Sequence, residues 1–274
     1  MRVTAPDGQQ SSPTVGRLAF QGIAGGTGHA ATFLLIFMYT TAVYSVRGPM
    51  FELFWFLHHL FVSFYVLISV HGLGQLLEPA TFWMWVIGPI GLYLIERTVR
   101  ILRSKQNCII LQAYQHPSRV MELRMKKSTF NYIPGQYVFL QCPYIANFEW
   151  HPFTISSSPD EDFLSVHIRR AGDWTGSLHD LLNPGGKEGL AQENMVNAPN
   201  GSPIIQVDGP FGAASEDVFK FDYIHLWAAG IGVTPFASIL KAIKYKIELG
   251  GCNIQSVEFY WTNRDKRSFE WFLT

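Results

Sequence analysis

Three long stretches within the first hundred residues carry almost no charge. From Leu18 to Val46 there is no Asp, Glu, Lys or Arg, and an apolar part from Ala30 to Val46 follows a glycine-rich start between Gly22 and Gly28. From Leu53 to Leu77 the ionisable groups are His58, His59, Tyr65 and His71. A helix of about 25 residues rises ~37 Å, enough to cross a hydrocarbon layer of ~30 Å. A third run, Pro79 to Ile95, carries Phe82, Trp83 and Trp85 at its start, where an aromatic belt would lie at a membrane interface. The pattern predicts membrane helices over about 29–46, 52–75 and 80–103, behind a disordered polar tail over 1–21.

The pattern changes after residue 106. Short alternating runs such as 108–114, 120–125, 136–141 and 163–168 are separated by Pro and Gly turns, which predicts an antiparallel β-barrel over 107–205. The Gly-, Asn- and Pro-rich stretch from Asn183 to Ser202 reads as a long surface loop of that barrel. From residue 206 the chain reads as strand, glycine-rich turn, helix and strand: 223–229, 230–236, 237–246 and 256–261. That is the start of a parallel α/β unit of Rossmann type. The fold class is therefore a multi-pass helical membrane segment over 22–106, then an antiparallel barrel, then a partial α/β domain over 206–274.

Composition agrees: 48% of residues are hydrophobic and 15% charged, with 21 basic against 21 acidic side chains. No net basic field exists to hold a nucleic-acid backbone, so nucleic-acid binding is excluded as the default. Arg97, Arg100, Arg103 and Lys105 follow the third run, Arg47 lies in the first connection and Glu78 in the second. Positive-inside counting puts everything after residue 97 in the cytoplasm. Cys108, Cys142 and Cys252 lie far apart and read as reduced, partly buried thiols.

Four groups of residues carry candidate chemistry. His58 and His71 are separated by ~20 Å along a helix, the spacing of two imidazoles near opposite faces of a bilayer and so of two stacked haem ligands. Thirteen steps of an ideal helix leave them ~140° apart around the axis, so a kink is needed, and histidines hydrogen-bonded between helices remain the alternative. In His151-Pro-Phe-Thr-Ile-Ser-Ser157, Pro152 removes a ladder donor at a barrel edge, while Thr154 and Ser156 offer hydroxyls. The plainer alternative is an edge-strand turn. Arg169 could fork onto a diphosphate, and the Gly172–Thr175 backbone could open a helix N-terminus toward it. Gly230-Ile-Gly-Val-Thr-Pro235, between a strand and a helix, could face a diphosphate with main-chain N–H groups, with Arg264 after the next strand placed for a 2′-phosphate. A solvated loop arginine is the alternative for Arg264.

In combination these stretches resemble the superoxide-generating NADPH oxidases, within the ferric-reductase-like transmembrane group. The likeness rests on Phe51–Phe61 with His71, Glu96-Arg97, His151-Pro-Phe-Thr154, His167-Ile-Arg169 with Gly172-Asp-Trp-Thr175, Asp208-Gly-Pro-Phe-Gly212, Gly230–Ser238, and Tyr260-Trp261 through Phe272. The resemblance implies that His58 and His71 each supply one axial ligand of two haem b groups. It further implies that His151, Pro152, Phe153, Thr154, Ile155, Ser156, Ser157, Arg169, Trp174 and Thr175 line an FAD site. Gly230, Gly232, Val233, Thr234, Pro235 and Arg264 would then hold NADPH. Electrons would pass from NADPH through FAD and haem to molecular oxygen across the lipid bilayer, with no proton-transfer residue named. Other partners implied by the resemblance are cytosolic activators and a small membrane subunit. Relative to the family, further helices before residue 22 and the rest of the nucleotide sheet after Phe272 are expected to be missing, so the chain reads as a fragment or incomplete product. The other two readings are a ferric-chelate metalloreductase and a non-catalytic interaction or regulatory subunit.

Overall fold

The computed structural model describes residues 16, 22–73, 79, 81–104, 106, 108–128, 130–147, 149–195 and 204–273. The predicted tail lies almost wholly outside them. The chain divides into two compact units, Met1–Glu96 and Arg97–Thr274.

The first unit is helical. Helix α1 spans Ile23–Ala42, a short turn follows at Tyr44–Arg47, and α2 (Phe51–His58) and α3 (Phe61–Gly72) complete the region before residue 74. Large apolar side chains point outward, with Phe33 66% and Phe56 76% exposed. In water that surface is costly, whereas in lipid it is the solvent-matched face. The polar groups of α1 are satisfied internally: the hydroxyls of Thr27, Thr32, Thr40 and Thr41 each donate to a carbonyl four residues earlier. Two stretches are long and apolar enough to cross a membrane, Ile23–Ala42 and Phe51–Gly72.

The observed helices differ from the predicted ones in three respects. The first starts at Ile23 because Gly25, Gly26 and Gly28 are absorbed into it, although glycine disfavours helix by about 1 kcal/mol each in water. The second is broken at His59-Leu60, where the N–H groups of His59, Leu60 and Val62 donate to carbonyls three residues back. The third run is a helix, α4, over Phe82–Ser104 with Pro89 inside it. Glu96, Arg97, Arg100 and Arg103 in its last turns keep it from meeting the composition of a span, so two candidate spans stand where three were expected.

The second unit is built on strands. One antiparallel sheet has the order β5 (Leu164–Arg169), β2 (Val120–Lys127), β1 (Cys108–His116), β6 (Gly189–Met195). The other has β4 (His151–Thr154), β3 (Tyr137–Gln141), β7 (Gln206–Phe211). A bridge between Ile155 and Val166 joins the β4 and β5 edges. Met121, Leu123, Met125, Val138, Leu140, Val166, Ile168 and Val207, drawn from both sheets, share one core. Strand β6 corrects the loop expected over Asn183–Ser202: it pairs with β1, with Ile110 opposite Met195. Its polar, glycine-led sequence hid it, because an edge strand needs only backbone groups to continue a ladder. Helix α5 (Asp173–Leu182) packs Leu178 and Leu182 into the same core. Beyond it, β8 (Tyr223–Ala229) and β9 (Ser256–Thr262) run parallel, connected through α6 (Thr234–Glu248), whose Ile239 and Ile243 cover the sheet.

From Arg97 onward the end of α4 belongs to the second unit. There Arg100 Nε lies 2.6 Å and Arg103 Nη2 2.7 Å from the two carboxylate oxygens of Asp208, which is only 2% exposed. Both guanidiniums also sit over the ring of Phe211. Two of the four cations counted for membrane orientation are thus bound to the Asp208-Gly-Pro-Phe-Gly212 turn.

Candidate functional site

The His151–Thr154 segment is an edge strand, paired with β3 and leaving Pro152 exposed where a missing N–H costs no ladder bond. The first turn of α5 brings Trp174 against it, 4.3 Å from the His151 ring and 6.0 Å from Phe153. Trp174 is buried, and its indole N–H finds no partner among the described residues. A buried donor left unpaired costs about 1–3 kcal/mol, so an acceptor at this wall is favoured. Thr175 Oγ1 is committed locally, accepting from the N–H groups of Ala171 and Gly172 and donating to Gly172 O. Arg169, at the end of β5, is exposed and makes no ion pair among the described residues.

Three expected lining residues turn inward instead. Ile155 is fully buried in the core, Ser156 Oγ contacts Ser165 Oγ and His167 Nδ1, and Ser157 Oγ takes the Ser165 N–H and pairs with Tyr132. Its bonds to Ser165 and His167 hold the Ser156 hydroxyl inside, just past the end of β4, so it is not offered to a phosphate.

On the nucleotide side, β8 ends in the tight turn Gly230–Val233, and α6 begins at Thr234 with Pro235 in its first turn. Gly230 has φ +54°, a conformation side-chain-bearing residues rarely adopt. Gly232 is exposed with open space beside it, whereas Val233 and Thr234 are buried. Because Ala229 stands opposite Thr262 in the parallel register, Arg264 lies on the loop at the same carboxyl end of the sheet, exposed and without an ion pair among the described residues. That end is where open α/β sheets take their ligands.

The two predicted sites meet. Arg169 Nη1 lies 3.8 Å from where a Cβ on Gly230 would stand. Ser238 Oγ of α6 donates to Ser157 O at 2.6 Å, and Trp261 Nε1 donates to Gly230 O at 2.9 Å. Neither bond is legible from the motifs, since each joins residues far apart in sequence.

Behind Arg169 lies a buried polar group that sequence reading missed. His116 Nε2 is 3.5 Å from Glu122 Oε2, Arg124 donates to both Glu122 oxygens, and the His116 and His167 rings stack at 5.6 Å. Trp271 covers His167 at 4.0 Å. Burial pushes the Glu122 carboxyl up, but the hydrogen bonds from His116 and Arg124 outweigh it and hold it at about 2. Burial drives His167 down to about 3, so the ring is neutral. The trio has the composition of a metal centre, yet the carboxylate is already neutralised by Arg124, which repels a cation. Burial likewise raises the Cys108 thiol to about 12 and the Cys142 thiol upward, in keeping with inert cysteines.

In the first unit, the His58 ring lies between Phe54 (5.2 Å) and Phe61 (5.9 Å). His71 Nδ1 is 3.1 Å from Thr27 Oγ1. Each i→i−3 step at the break turns the chain ~120° instead of ~100°, so three such steps reduce the ~140° separation of the two rings to about 80°. The break turns the two imidazoles closer to one face of the helix.

Comparison with known proteins agrees with this division. Residues 4–69 match the ferric reductase like transmembrane component, 105–215 an FAD-binding domain, and 221–274 the ferric reductase NAD binding domain. A superoxide-generating NADPH oxidase heavy chain of Dictyostelium discoideum is 57% identical over 93% of this chain and 50% of its own. NADPH oxidase 3 of Homo sapiens is 40% identical over 91% and 50%, and NADPH oxidase 1 of Mus musculus 39% over 96% and 49%. The chain spans about half the length of these relatives. With all three of its segments matched in order, the chain belongs to the NADPH oxidase family, as a membrane protein with flavin- and nicotinamide-dinucleotide-binding parts.

Proposed function

We propose that the chain is part of an enzyme that carries electrons from NADPH through FAD and haem b across a membrane to molecular oxygen, forming superoxide. The observation that carries this is the meeting of Arg169 with the Gly230 turn: a hydride moves only between rings in near contact, so the two dinucleotide sites must adjoin. The bound groups would supply hydride acceptance, division of the electron pair into single electrons, and one-electron delivery that turns two oxygen molecules into two superoxide ions per NADPH.

The residues fit these groups. Arg169, exposed and unpaired by any described acid, supplies the fork for the FAD diphosphate, beside the open N–H groups at the start of α5. His151, Pro152, Phe153, Thr154 and Trp174 form the wall for the ring system, and the Trp174 N–H supplies its unpaired donor. Ile155, Ser156, Ser157 and Thr175 hold that wall in place through their internal bonds. The turn at Gly230, Gly232, Val233, Thr234 and Pro235 presents main-chain N–H groups to the NADPH diphosphate, and Arg264 meets the 2′-phosphate. His58 and His71 each offer one imidazole to a haem. We place residues 107–274 on the cytoplasmic side, on the strength of Arg97 and its neighbours; cytosolic activators and a small membrane subunit remain the family's implied partners.

The test uses the full-length protein in liposomes, with NADPH outside and superoxide followed by dismutase-sensitive cytochrome c reduction. Superoxide formation with FAD dependence is expected, and Arg264→Ala should raise KM for NADPH at least tenfold while barely changing that for NADH. Reduction of ferric chelate without superoxide would assign the metalloreductase reading instead. Absence of bound flavin and haem would leave the interaction-subunit reading.

A further inference from the structure

We propose that Thr27 is the positioning residue of His71: it fixes the imidazole in the Nδ1–H tautomer, so that Nε2 carries the lone pair for haem iron. This role rests on the haem reading above and concerns the first helical unit alone.

The tautomer turns on one proton. Thr27 Oγ1 has a single hydrogen and lies 2.6 Å from Ile23 O, the i−4 carbonyl of its own helix, with Ala24 O at 3.3 Å as the other backbone acceptor. A carbonyl can only accept, so the hydroxyl proton goes to the backbone. The same oxygen lies 3.1 Å from His71 Nδ1. With its hydrogen committed, Oγ1 can only accept there, and Nδ1 must donate. A neutral imidazole carries one N–H, which leaves Nε2 as the lone-pair nitrogen. Gly28 permits the approach, since a Cβ there would stand 3.2 Å from His71 Cε1 and 3.5 Å from Nδ1. A side chain at 28 would thus press on the ring that the neighbouring hydroxyl holds. Thr27 Oγ1 is the partner that the described residues give Nδ1, so this oxygen sets the tautomer.

The chemistry gives a sign. An N–H donating to oxygen makes the opposite nitrogen a stronger electron donor, which favours ferric over ferrous iron and lowers the haem potential. Removing the acceptor should raise the potential of that haem and weaken its retention, by about tenfold in affinity at the low end of such effects. The other ligand, His58, makes no hydrogen bond among the described residues, so the effect should fall on one haem only.

The experiment is an optical redox titration, with haem retention, on the detergent-purified full-length protein carrying Thr27→Val, which matches threonine in shape. An upward shift of one of two midpoints and faster loss of one haem, both restored in Thr27→Ser, would support the assignment. Unchanged midpoints and retention in Thr27→Val would overturn it. Should that variant fail to accumulate, Thr27→Ala keeps the helix and removes the same oxygen, with the same two outcomes. His71→Ala separates the underlying reading: loss of one haem there with a silent Thr27→Val overturns the tautomer proposal alone, whereas unchanged haem content overturns the ligand reading with it.

Discussion

Leu35 and Leu123 are the same residue in two solvents. Leu35, on α1 in the first unit, is 50% exposed; Leu123, on β2 in the second, is fully buried. The helical unit turns its large side chains outward and satisfies its polar atoms along its own backbone, threonine to carbonyl. The barrel does the reverse, closing its apolar side chains inside and giving its buried charges partners, two arginines for Asp208 and two main-chain carbonyls for Lys127. Each is stable where its outside matches its surroundings, and a single chain holding both has to lie at a boundary between lipid and water. That difference can be tested by making comparable changes on the two sides.

The largest effect is expected at the buried charge of the second unit. Asp208→Asn removes the negative charge that Arg100 and Arg103 share, and turns one of the two acceptor oxygens into an N–H donor facing a guanidinium, at a position 2% exposed. Breaking one side of a buried pair costs about 3–5 kcal/mol, tempered here because the arginines are partly exposed. Thermal unfolding followed by barrel tryptophan fluorescence should show a fall in midpoint of many degrees. An unchanged midpoint would mean that the α4 end is not fastened to the barrel by this contact.

Next comes the leucine pair itself. Leu123→Ala should cost about 3 kcal/mol, the transfer loss plus the cavity left in a closed core. Leu35→Ala, in detergent or lipid, should cost well under about 1 kcal/mol, because a ring of acyl chains refills the space and no cavity forms. Leu35→Asp inverts the contrast: a charge at the middle of a span opposes insertion by about 3 kcal/mol, read as a loss of membrane-integrated protein. Equal costs for the two alanine variants would mean that both helices and barrel are packed in protein and would break the comparison.

A third expected effect is acid lability confined to the barrel. His167 is held at about 3, below its ordinary 6.5, so the unfolded chain binds that proton first and stability falls as pH drops below about 6.5. Glu122, held at about 2, contributes stability present above its ordinary 4.5 and lost as pH falls from there toward 2. Both slopes have the same sign, and urea midpoints measured from pH 7.5 down to 5 should decrease by the equivalent of about 2 kcal/mol. His167→Gln should flatten the upper part of that curve. A midpoint rising on acidification would contradict the neutral, buried state of the ring.

What can be read in the sequence follows the same division. Spans and strands are legible because runs of apolar residues, and alternation, are local signals; the candidate motifs stand out because glycine, proline and arginine stand at fixed offsets from a strand end. Strand β6 is not, since its pairing with β1 uses backbone groups that its polar letters do not advertise. The inward turn of Ser156 is hidden because a hydroxyl's direction depends on strand register, set by the Ile155–Val166 bridge about ten residues away. Asp208 with Arg100 and Arg103, and Trp261 with Gly230, join partners about 30 to 100 positions apart, and no local pattern encodes such pairs. The break at His59-Leu60 cannot be read from the sequence, because no glycine or proline over 51–71 marks it.

The smallest effect tests whether the nucleotide turn owes its glycine to space or to backbone shape. At Gly230 a Cβ would meet Arg169 Nη1 only at 3.8 Å, an ordinary contact, so crowding is not the reason. The φ of +54° is, since left-handed backbone costs a side-chain-bearing residue about 1 kcal/mol. Gly230→Ala should therefore lower stability by about that amount while moving the peptide that Trp261 holds. KM for NADPH should rise a few-fold with bound flavin unchanged. Gly230→Asn, which tolerates the left-handed region, should recover most of both losses. If alanine and asparagine prove equally harmful, the constraint is steric after all, and it lies in what binds against the turn instead of in the turn itself.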